Sequence, residues 1–214
     1  MARQTITLPT EIHDIIVGIL AEEGDVKTVK ILARTCKSIL PTCRSHIFAT
    51  LDLVPIQGLD NSCDDTADTF SRLLENLRRV FASNPSLTFY VRKVYYMIRR
   101  IDDKPQDFHS VLKGCSRVKT LGLRGTIHDA GTYRTSVDWL NVSASLRAAL
   151  ASILHSPYFM ELHLDHISNF PIRILAGSRN LSHLTIDAAD FQDDVVSDWR
   201  CGPTLRAACT RPLF

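Results

Sequence analysis

A chain of 214 residues that is 45% hydrophobic and 22% charged, with a formal net charge of +2, is too apolar and too weakly charged to stay disordered. It is long enough for one large domain, or for a small domain joined to a medium one. No apolar run reaches the roughly 18 residues of a membrane span, and the amino terminus lacks the apolar core and cleavage site of a signal peptide, so a soluble cytoplasmic or nuclear protein is expected.

From Leu8-Pro9, apolar residues recur at Ile12, Ile15, Ile16, Ile19 and Leu20, the spacing of one face of a helix. Gly24 ends that helix. Asp25 can cap the next, with Thr28 three positions on. Val26, Val29, Leu32, Ala33 and Cys36 predict a second apolar stripe, and Ile39, Leu40, Cys43, Ile47 and Phe48 a third, offset by Pro41. A bundle of three such short helices buries little apolar surface and is expected to lean on a neighbour or a partner. Residues 54–69, which include Pro55, Gly58 and several Asp, read as an acidic linker.

A helix is predicted over Phe70 to Phe81, stopped by Asn84-Pro85. Four segments beginning at Val91, Val118, Phe159 and Leu181 then share an apolar-x-x-apolar-x-apolar skeleton with strand-like alternation at the end. Helical stretches at Phe108 to Gly114 and Leu146 to Leu154 precede the second and third. A strand plus a helix or turn at intervals of 20 to 30 residues is the unit of a leucine-rich solenoid. The second interval is too long for one unit, so Arg124 to Ser145 is read as a surface insertion. Residues 191–214 offer no fifth strand and are expected to be an atypical or truncated end.

No phosphate loop, dinucleotide fingerprint, zinc-protease or hydrolase motif is present, so no enzyme and no cofactor is expected. The six cysteines and eight histidines show no metal-ligand spacing, and the cysteines read as small buried apolar groups. His163 and His166 flank Asp165, but with no nucleophile nearby they read as solvent-facing strand residues. The cation-aromatic stretch from Arg92 to Arg100 suits an acidic protein segment better than nucleic acid, given the near-neutral chain.

Leu8-Pro9-x-Glu11-Ile12-x-x-x-Ile16, followed by Asp25, Cys36, Arg44 and Phe48, resembles an F-box over about residues 6–53. The chain as a whole is most similar to short F-box proteins with divergent leucine-rich repeats found in mushroom-forming fungi. The resemblance implies a mainly α fold with α/β repeats: a three-helix F-box, then a short irregular leucine-rich-repeat solenoid with a parallel sheet over residues 70–190. It implies a substrate-recognition subunit of a Skp–cullin–F-box ubiquitin ligase, with partners in a Skp-type adaptor, a cullin ligase and a protein substrate; separately, the near-zero net charge argues against nucleic acid or a membrane surface as a partner. Ile39 stands where the family usually carries Trp. The adaptor-binding residues it implies are Leu8, Pro9, Ile12, Ile16, Leu20 and Ile39, with Ile15 and Ile19 turned to the bundle core. The substrate would meet Lys93, Tyr95, His163 and His183, which the strand pattern places on one face of the sheet. The competing expectation is a repeat module that binds protein without any link to ubiquitination, its amino-terminal helices serving as a cap.

Overall fold

The computed structural model describes residues 9–54, 63–98, 106–125, 127–129, 132–187, 189 and 206–209. Leu8 lies outside them. The chain divides into two compact units, 1–50 and 51–214. The boundary falls at Thr50, where the sequence suggested residue 53.

The first unit holds α1 (Thr10–Glu22), α2 (Val26–Thr35) and α3 (Leu40–Ile47). Pro9 opens α1 with its carbonyl, which accepts from the amides of Ile12 and His13 at 3.1 and 3.3 Å. Gly24 takes a left-handed φ of 77° that turns the chain out of α1. Asp25 then caps α2: its carboxylate accepts from the Thr28 amide at 3.0 Å and from the Thr28 hydroxyl at 2.6 Å. These two bonds hold the Asp25 carboxyl below its ordinary pKa. The core of the unit is small, with Val17, Val29, Ile39 and Cys43 buried and Leu20, Leu32, Ala33, Cys36 and Ile47 packed around them.

The second unit begins with β1 (Thr50–Leu53), whose Leu51 and Leu53 are buried. The long helix α4 (Cys63–Ser83) follows, so part of the expected linker is helical, starting seven residues ahead of the predicted Phe70. After a 3-10 helix at Pro85–Tyr90 come β2 (Lys93–Ile98), α5 (Gln106–Gly114) and β3 (Thr120–Gly125). The expected insertion contains a hairpin of β4 (Ile127–Asp129) and β5 (Thr132–Thr135), then β6 (Val137–Asp138) and a 3-10 turn. It is not purely a surface feature. Trp139 in that turn is 2% exposed and meets Phe170 edge-on at 4.7 Å, because a side chain of that size is stabilised far more by burial than by water. Then come α6 (Ala144–Leu154), capped by Ser143, and β7 (Glu161–Asp165), β8 (Ile167–Ser168), a 3-10 helix at Ile172–Gly177, β9 (His183–Asp187) and β10 (Arg206–Cys209).

The main sheet runs β1-β2-β3-β7-β9-β10, and its last five strands are parallel. β10 is a fifth parallel strand where the sequence suggests none. Arg-Ala-Ala-Cys has no β-branched or aromatic residue to signal a strand, and its pairing with β9 is through the backbone. The four recognised strands align as the skeleton predicts: Val94 beside Leu121, Leu121 beside Leu162, Leu162 beside Leu184. Leu121, Leu123, Leu162, Leu164 and Leu184 are all buried.

The strand order rises strictly with chain order. When each crossover steps one strand in the same direction and keeps the usual right hand, all crossovers lie on one face. The side-chain pattern agrees. One face of the sheet carries the buried leucines, and the other carries Lys93, Tyr95, Glu161, His163, His183 and Thr185, none of them buried, together with the buried Met97, Thr120 and Gly122. The architecture is therefore α/β, with a parallel sheet apolar on one face and polar on the other.

Leu162 sits at the centre of this register. Leu162→Ala is expected to lower the stability of the second unit by about 2–5 kcal/mol in urea denaturation, while the exposed Ile31→Ala leaves the stability of the first within about 0.5 kcal/mol.

Candidate functional site

Two surfaces carry the residues singled out from the sequence. The first is α1. Its isoleucines do form one face, but that face does not enter the bundle: Ile12, Ile15, Ile16 and Ile19 are 40, 57, 41 and 51% exposed, and Pro9 is exposed beside them. The expectation that Ile15 and Ile19 turn inward is corrected. At 3.6 residues per turn, Val17 stands about 150° around the helix from the middle of the stripe, and it is Val17, 1% exposed, that fills the core. Leu20, between the two directions, is half-buried against that core. The Thr42 hydroxyl donates to Asp14 at 2.6 Å and ties α3 to α1 on the polar side. Ile39 is also corrected. It is 6% exposed and belongs to the bundle core, where a residue without aromatic area fits between Val17, Val29 and Cys43.

The second surface is the polar face of the sheet. Register puts Lys93, Thr120, Glu161 and His183 in one row, and Tyr95, Gly122, His163 and Thr185 in the next. All four expected substrate residues thus share one face. Lys93 and His183 are exposed at either end of their row, and Tyr95 and His163 are half-buried in theirs. Gly122 separates that second pair. The Tyr95 ring lies flat across it, so that a Cβ on residue 122 would come within 2.5 Å of the ring's Cδ1. The absence of a side chain is what lets the ring rest on the sheet.

The polar groups between these residues are already engaged. The Thr120 hydroxyl donates to Glu161 Oε2 at 2.9 Å. In the next row along the strands, Arg124 Nε meets Asp165 Oδ2 at 3.0 Å, while the other Asp165 oxygen pairs with His166 Nδ1. Asp165 is therefore held between two basic side chains, not poised beside a nucleophile. The Arg124–Asp165 pair could not be read along the chain, because it exists only in the register of β3 on β7. Among the described residues no three His, Cys, Asp or Glu side chains converge as a metal site would need, and no helix is long and apolar enough to cross a membrane.

The interior holds two titratable groups of note. Burial pushes the Cys115 thiol up to about 12, and its Sγ reaches the Val111 carbonyl at 3.3 Å, so it packs as an inert apolar group. His109 on α5 is 2% exposed. Its Nδ1 lies 2.8 Å from Ser145 Oγ, and its buried Nε2 has no hydrogen-bond partner. Desolvation first, and the nearby Lys113 charge second, lower its pKa.

No family model, curated protein or solved structure matches this chain.

Two outcomes are expected from this geometry. Because His109 is harder to protonate folded than unfolded, its contribution to stability is complete above the ordinary imidazole value of 6.5 and is lost as pH falls below it. Denaturation series at falling pH should show this slope, and His109→Gln should flatten it. At the Tyr95–Gly122 contact, Gly122→Ala should destabilise the sheet in the wild-type background and do so less in Tyr95→Ala. A double-mutant cycle in which the two changes simply add would remove the steric coupling.

Proposed function

We propose that the chain is a substrate-recognition subunit of a Skp–cullin–F-box ubiquitin ligase: residues 9–50 dock a Skp-type adaptor, and the second unit, as a short irregular leucine-rich-repeat solenoid, holds a protein substrate. It performs no catalysis of its own, the ubiquitin chemistry belonging to other subunits. The observation that carries this reading is the isoleucine stripe of α1. Four large apolar side chains in a row on a helix, between 40 and 57% exposed, are a poor arrangement for a surface in water and a good one for a helix laid into an apolar groove. Pro9, Ile12 and Ile16, expected at the adaptor interface from the resemblance, belong to that exposed face, and Leu20 borders it.

Support for the solenoid comes from the sequential parallel strands and the aligned leucines. The competing reading is a protein-binding repeat module whose amino-terminal helices form a cap.

Co-purification decides between them. The wild-type chain should recover a Skp-type adaptor, and Ile12→Asp/Ile16→Asp should recover at least about tenfold less, because a charge placed in an apolar groove is desolvated without a partner. Both positions are exposed, so the variant should keep its helical circular dichroism. Equal recovery by both proteins, or none by either, refutes the adaptor reading.

A further inference from the structure

The turns that lead into the strands are stacked as regularly as the strands. The Ser156 hydroxyl donates to the Ser116 carbonyl at 2.7 Å, and the Asn180 amide donates to the Pro157 carbonyl at 2.5 Å. Backbone bonds continue the ladder: the Lys119 amide donates to Arg92 O at 2.7 Å, Met160 to Lys119 O at 2.9 Å, and Ser182 to Met160 O at 2.8 Å. Side chains at equivalent places in successive turns are thereby held side by side along the amino-terminal edge of the sheet.

Three side chains of these turns form a ladder. The Arg117 guanidinium carbon lies 5.8 Å from the centre of the Phe89 ring and 6.0 Å from that of Tyr158. Both rings are about half exposed, at 51 and 48%. The Phe89 position is pinned in turn, since Arg92 Nη1 donates to the Phe89 carbonyl at 2.6 Å. A guanidinium flanked by ring faces keeps its N–H groups in its own plane, pointing away from the rings. Among the described residues no carboxylate pairs with Arg117, and none pairs with the exposed Lys93 or Lys119. In the turns entering β2, β3, β7 and β9, the one carboxylate is Glu161, and it already accepts from Thr120.

We propose that this edge is a docking surface for an acidic segment of a partner protein. The segment runs across the strands, its carboxylates on Arg117, Lys119 and Lys93 and its apolar groups against the Phe89 and Tyr158 rings. Charge complementarity selects the sign of the partner, and the exposed rings select a peptide over a bare polyanion, because a phosphate backbone offers little apolar surface to them. The three turns that carry these side chains span two strand spacings of about 4.8 Å each, so about three extended residues cover the row. The surface lies wholly within the second unit and stands independently of the adaptor reading.

The test uses the full chain and a fluorescein-labelled peptide of about six residues, Asp and Glu interspersed with Leu and Phe, followed by fluorescence anisotropy. The wild type should bind it more tightly than a Lys-containing counterpart, and more weakly as salt is raised. Arg117→Glu should weaken binding about tenfold or more. Lys93→Glu/Lys119→Glu, which leaves the rings untouched, should do the same, with unchanged circular dichroism in both. Absence of preference for the acidic peptide, undiminished binding by both variants, or tighter binding of a duplex DNA of equal charge would each overturn the proposal.

Discussion

The alignment of Leu121, Leu162 and Leu184 across three parallel strands is the constraint on which the second unit rests. Side chains alternate along a strand with a period of two, so a slip of one residue would bring every buried leucine to the polar face and carry Lys93, Glu161 and His183 into the interior. The cost of burying those groups unpaired fixes the register as firmly as the leucines do. Everything described on the polar face follows from it: the Thr120–Glu161 bond, the Arg124–Asp165 pair and the Tyr95 ring lying on Gly122.

The repeat strands were readable because their signal is local. Each skeleton holds its own alternating residues, and β2, β3, β7 and β9 appear where the pattern lies, displaced by about two residues because the first apolar position belongs to the entering turn. Helix limits fared less well: α4 starts among polar residues, where periodicity is silent. β10 is an edge strand that backbone pairing can recruit with little demand on composition, and β1 alternates over only four residues, too few to stand out as a strand. The α1 face was recognised as apolar, yet its direction was not. Periodicity says which residues share a face and nothing about where the face points, and the sparse core built on Val17, Val29, Ile39 and Cys43 settles that only in three dimensions. The Phe89–Arg117–Tyr158 ladder is a third kind of case. Its members sit three or four residues before three strands, their types differ, and only the stacking of the turns makes them neighbours.

The two units solve the problem of exposed surface in different ways. The second has enough chain to bury one whole face of a sheet and to place its polar residues on the other. The first, with three short helices, leaves its largest apolar stripe in water. That contrast is a matter of size: a small bundle has more surface for each residue it can bury.

The strictly rising strand order has a consequence for how the second unit forms. Within the main sheet each strand pairs only with the sheet strands that precede and follow it in the chain, so no pairing there must wait for a segment beyond the next sheet strand to return. Closure entropy grows with the logarithm of loop length, and here it is met in several modest instalments. Such a sheet can grow outward from a nucleus at its centre, and a strand lost or gained at either margin leaves the pairing of the others intact.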